Sequence, residues 1–173
     1  MGFIMLEINS PSLKVSGHVK LYSFPADEVP SIEAYRKLKL DKSYMKKHLV
    51  NEGKNLVVAT GVHILLNLIS KADSVGISHM EAGTGSTAIV AGTSALETPL
   101  SPRVEITDSY RVANTVYFEA FFAKNDANGA WTEVAMHNAV SGGAMAAASI
   151  VGSFTKSTSN VTIILWGITL TAS

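Results

Sequence analysis

The chain has 173 residues, enough for one domain whose core needs neither metal nor disulfide. Of these, 47% are apolar and 16% charged, and 14 Lys/Arg balance 14 Asp/Glu, so little surface charge keeps copies apart. Neutrality excludes an electrostatic nucleic-acid binder, and zero cysteine excludes disulfides, thiolate metal sites and cysteine nucleophiles. The apolar stretches at 62–69 and 163–170 fall far short of a span of roughly 20 residues. They are interrupted by His63, Asn67 or Gly167. The opening MGFIMLEINSP lacks a basic region followed by a long apolar run, so no signal peptide is expected.

In chain order, alternation over 15–22 predicts a strand. Residues 31–54 then gather seven basic side chains around Tyr35, Leu38, Leu40, Tyr44, Met45 and Leu49. Their spacing supports at most a short helix after Pro30, with no sustained apolar stripe. Residues 1–53 therefore read as a strand and a basic extended arm, and 54–173 as the folded domain. Residues 54–61 read as a short buried strand, and 62–72 as the one helix. Thr60 would cap that helix, Ile64, Leu65, Leu68 and Ile69 would face inward, and Lys71 would sit at its negative end.

From Gly76 the signals are β: a strand over 76–82, a turn at 83–86, a loop over 91–102 punctuated by Pro99 and Pro102, and alternation over 103–112 and 114–123. The turn at 124–129 leads to a strand over 131–138, which reads as a hairpin with its predecessor. An Ala-rich run over 144–151 and an apolar strand over 161–170 complete the chain. Short strands at roughly ten-residue spacing predict a mainly β fold: an antiparallel, jelly-roll-like β-sandwich with one short helix and an N-terminal arm. Apolar residues on both faces of 114–123 and 163–170 imply strands covered on both sides, with another subunit as one candidate cover.

Few patterns carry chemistry. Gly83-Thr-Gly85-Ser-Thr-Ala88 matches G-x-G-x-x-A after a strand, but no long helix follows, so a turn loop is expected rather than a dinucleotide cofactor site. Ser43-Tyr-Met-Lys46 matches S-x-x-K without its companion strings. Asn160-Val-Thr162 is a formal glycosylation sequon, with no signal for secretion to support it. His18, His48, His63, His79 and His137 show no metal-ligand spacing, and Glu97, Glu105, Glu119 and Glu133 are dispersed, so no catalytic, cofactor or metal residue is assigned.

The order Lys54-Asn-Leu-Val-Val-x-x-Gly61, a helix, Gly83-Thr-Gly85, Thr93-x-x-Leu96-Glu97 and Arg103 resembles a recurring module of tailed-bacteriophage virion proteins. Residues 116–122 resemble its central strand, Trp131-Thr-Glu133-Val-Ala-Met-His-Asn138 its E-x-G-L-F-N step, and 161–169 its closing strand. Ala135 and Met136 stand where Gly and Leu are usual, and Pro99 and Pro102 are inserted. The resemblance covers about 54–171. It implies a virion component: a capsid decoration (cement) protein, commonly jelly-roll-like and trimeric, or a tail-fibre or baseplate part.

Residues 1–57 carry nine Lys/Arg against six Asp/Glu, net +3, and 58–173 carry five against eight, net −3. The expectation is thus a non-enzymatic cement protein on the capsid surface, a homotrimer whose basic arm reaches a neighbouring copy or the major capsid protein. Its partner-binding candidates are Tyr35, Arg36, Lys37, Lys39, Tyr44, Lys46 and Lys47, of which Tyr and Arg are favoured interface anchors. No nucleic acid or membrane partner is expected. The alternative is a tail module contacting host carbohydrate or adjacent tail proteins through Trp131 and the loop 124–129. An enzyme using Glu119 and Glu133 on polysaccharide is the third reading.

Overall fold

The computed structural model describes residues 13–72 and 75–172. The opening segment, where no signal peptide is expected, and the first part of the expected arm lie outside the described residues. The elements run β1 (Leu13–Pro25), α1 (Ile32–Leu38), α2 (Lys42–His48), β2 (Leu49–Val57), α3 (Ala59–Ser70), β3 (His79–Gly83), β4 (Pro99–Val112), β5 (Thr115–Phe122), β6 (Gly129–His137), β7 (Met145–Lys156) and β8 (Asn160–Ala172).

The strands close into an antiparallel barrel in the order β1-β2-β7-β6-β3-β4-β5-β8. This corrects the expected jelly-roll-like sandwich. A sandwich leaves two sheets with open edges, whereas closure pairs every edge. β1 and β8 pair along their whole length, from Leu13 opposite Ala172 to Pro25 opposite Asn160. Register shifts in β1, β3, β4 and β6 bend the strands around the barrel, as bulges do. The expected hairpin over 114–138 is also corrected. β5 pairs with β4 and β8, and β6 with β3 and β7, so the turn at 124–129 carries the chain across the end of the barrel.

Eight strands leave an interior that side chains alone can fill. Val19, Leu21, Met80, Phe122, Trp131, Val134, Met136, Ile164 and Trp166 fill it. Trp131 is therefore no exposed carbohydrate platform. It is fully buried, donates from Nε1 to the carbonyl of Ala127 at 2.7 Å, and meets Phe122 and Phe154 edge-on.

The extended arm and the single helix are corrected together. Within 1–53, β1 is a full barrel strand, the proposed boundary at 53 falls inside β2, and the basic stretch between them forms α1 and α2. Ser31 caps α1 by accepting from the Ala34 amide, and Asp41 caps α2 by accepting from the Ser43 and Tyr44 amides. Each helix has only seven residues, too short for a repeating apolar stripe, so burial falls on single side chains. Tyr35 and Phe24 are buried with Val29, Val161 and Ile163, and Ile32, Leu38, Tyr44 and Met45 pack around them. The second cover over β8 is thus the chain's own helical segment.

The third helix, α3, starts three residues earlier than expected. Its N-cap is Val58, which makes no side-chain cap bond, while the Thr60 hydroxyl donates to the Met145 carbonyl across the packing interface. Lys71 closes the helix in the left-handed conformation, φ 57°. The buried side is Gly61 and Ile64, with Leu65 half-buried, whereas Leu68 and Ile69 of the expected face turn to solvent. A Cβ on Gly61 would run into the backbone of Ala146, so the helix sits directly on β7. Leu66 and Ile69 are left 56% and 78% exposed.

Candidate functional site

Alternation along the strands sends one set of side chains into the barrel and the next outward. On the outer wall, cross-strand pairing lines up Glu52 of β2, Lys20 of β1, Leu165 of β8, Glu119 of β5 and Asp108 of β4 as successive neighbours. Lys20 and Glu52 form an ion pair at 3.5 Å. Glu119 is buried, an arrangement that is costly for a carboxylate unless it is paired and hydrogen-bonded.

The partner comes from α1. Lys39 is the C-cap residue of that helix, and its Nζ reaches Glu119 Oε2 at 3.0 Å and Asp108 Oδ2 at 3.1 Å. It also lies 5.7 Å from the Tyr35 ring and 5.9 Å from the Tyr110 ring, within cation–π range. Burial disfavours the ammonium, but the bonds to Glu119 and Asp108 outweigh it and raise the Lys39 pKa. The tyrosines respond to the same centre. Tyr110 is pushed up to about 12, first by burial and then by Glu119, and Tyr35 is pushed up further for the same reasons. Both phenols therefore stay protonated and able to donate.

Above this floor lies a cleft of about 470 Å³ between the α1–α2 segment and the barrel wall. Tyr22, Tyr35, Tyr110 and Glu119 form its floor, Leu40, Met45, Leu49 and Leu165 give it apolar walls, and Lys20, Lys39, Lys42 and Lys46 supply positive charge. Lys42 and Lys46 make no ion pair among the described residues, while Leu40, between the two helices, is 81% exposed.

Of the seven sequence-derived contact residues, Tyr35, Lys39 and Lys46 line this cleft. Arg36 donates to the Thr107 carbonyl at 3.2 Å, and Tyr44 stacks on Phe24 and donates to Glu28 at 2.9 Å. Lys37 and Lys47 are exposed. Lys20, Tyr22, Lys42, Tyr110 and Leu165 were not singled out from sequence. Strand parity marks Lys20 and Tyr22 as sharing a face, but nothing local puts β8, β5 and β4 beside them.

The other motif residues have internal partners. Glu119 and Glu133 are not brought together, since β4 and β3 separate their strands in the barrel. Glu133 accepts from the Gly85, Glu97 and Thr98 amides at 3.0, 3.2 and 2.9 Å, and Glu97 accepts from Ser86 and Thr87. The glycine loop thus wraps the chain's own carboxylates, and a Cβ at Gly83 or Gly85 would collide with Glu133. His137 and Arg103 converge on buried Glu81, with Nε2 at 2.9 Å and Nε at 3.0 Å. Glu105 is exposed, as are His63 and Ser43. His18 lies edge-on to Tyr117, His48 contacts the Tyr44 carbonyl and His79 the Ser78 hydroxyl. Among the described residues no group of three or more His, Asp or Glu is placed to hold a metal ion, and no helix is long and apolar enough to cross a membrane.

Comparison with protein-family models, with curated proteins and with solved structures finds no match.

Proposed function

We propose that this chain is a non-enzymatic structural component of a bacteriophage particle, a cement protein that associates with itself and with neighbouring capsid subunits, as a trimer on the head. One observation carries the reading. α3 contains no charged residue, and it presents Val62, Leu66 and Ile69, spaced i, i+4, i+7, to solvent. A contiguous apolar face on a charge-poor surface is the usual mark of a contact between proteins. Two further observations support it. Glu81, Glu119 and Glu133, the buried carboxylates, are each engaged by donors from within the chain. The ordered pattern over 54–171 resembles virion modules.

The test is immunogold labelling of purified particles. Label on the head lattice is the expected result. Label confined to the tail transfers the chain to the tail-fibre or baseplate role, and particles without the protein overturn the proposal.

A further inference from the structure

We propose that the cleft between the α1–α2 segment and the barrel binds an acidic, aliphatic segment of a partner protein, its carboxylates against Lys42 and Lys46 and its side chains against Leu40, Met45, Leu49 and Leu165. The inference rests on the reading of the chain as an assembly protein and names the chemistry of what it meets.

The charges in the cleft divide into spent and unspent. Lys39 is committed to Glu119 and Asp108, and Lys20 to Glu52. Lys42 and Lys46 are four residues apart on α2, on the same side of the helix, and like charges so placed repel. An anion bound between them relieves that repulsion. The walls state the second requirement. Leu40 and Tyr110, both lining the cleft, are 81% and 40% exposed, so a purely polar ligand leaves apolar surface in water.

These features select a peptide over a nucleic acid. The lining has no arginine, the side chain favoured in phosphate and nucleic-acid recognition. The whole chain is neutral, without the net positive charge of an electrostatic nucleic-acid binder. About 470 Å³ accommodates a few side chains rather than a fold, which suits an extended segment.

The experiment uses the full chain and a short synthetic peptide of alternating Glu and Leu, with the binding constant measured by calorimetry. Binding should weaken as salt rises from about 0.1 M to about 1 M, since the screening length shrinks from about 10 Å to about 3 Å. Lys42 and Lys46 are exposed, so the double variant K42E/K46E should keep the native circular dichroism spectrum yet bind about tenfold more weakly. Leu40→Ser should weaken binding without changing its salt dependence. Equal affinity of the double variant, equal affinity for a Lys-Leu peptide, no measurable binding, or displacement of the peptide by a single-stranded oligonucleotide each overturns the proposal. The measurement needs no particle, so a chain that labels particles but ignores the peptide refutes this inference alone, and the converse refutes only the particle assignment.

Discussion

Glu81 shows how a buried charge in this barrel is kept. It lies on the outer face of β3, where Arg103 from β4 donates to Oε1 and His137 from β6 approaches Oε2, while Arg103 Nη1 also donates to the Ala139 and Gly142 carbonyls. Burial alone would raise the Glu81 pKa, but the contacts with His137 and Arg103 outweigh it and hold the carboxyl below the usual carboxylate value. A depressed native pKa means that the unfolded chain takes up the proton first. The stabilisation is therefore complete above the ordinary carboxylate pKa near 4.5 and is lost as pH falls through the lower native value. Urea unfolding between pH 6 and roughly pH 3 should show natural protein losing stability faster than Glu81→Gln. Parallel curves would mean that Glu81 contributes nothing to acid sensitivity. Lys156 is the cationic counterpart: buried, donating to the Ala123 carbonyl and to Asn128, with its pKa lowered by burial. Neither group announces itself in sequence, because its partners come from distant parts of the chain.

At the level of elements, the three helices divide the work. α1 and α2 are short capped pieces that exist to bring Tyr35, Tyr44 and Lys39 onto the barrel, and their amphipathicity is carried by a few aromatics rather than a stripe. α3 is the opposite case. Its apolar content is high enough to suggest a buried helix, yet contact with β7 through Gly61 and Ile64 leaves the far side bare. Ile69→Glu replaces a side chain that already faces water, so the melting temperature of the monomer should be nearly unchanged, as for most surface substitutions within about 0.5 kcal/mol. Sedimentation velocity should nonetheless show loss of self-association. An unaltered oligomer would remove α3 from the contact, whereas Ile64→Glu, on the buried side, should destabilise the fold itself.

For the whole molecule, closure is the dominant fact, and it reverses an expectation about what can be removed. The boundary near residue 53 predicts that 54–173 folds alone. In the barrel, β1 is hydrogen-bonded to both β2 and β8 and supplies Val19 and Leu21 to the interior. Deleting 1–53 takes out β1 and most of β2, opens the barrel between β7 and β8, and uncovers Val161 and Ile163. The truncated chain should show no cooperative thermal transition by circular dichroism. A sharp transition and native-like spectrum would contradict the closed architecture. By itself the sequence determined the β-rich class and the approximate places of the strands, because alternation and turn residues are local signals. It also marked 84–86 as irregular chain, while Tyr35, Lys39 and Lys46, expected as contact residues from their types, line the cleft. Only the tertiary structure decided that the sheet closes, that 31–48 folds back as the cover of β8, and that Lys39 of the basic segment meets Glu119 and Asp108 of the same chain. Those outcomes depend on which strands become neighbours, and pairing between residues 69 and 80 positions apart leaves no periodic trace in the sequence.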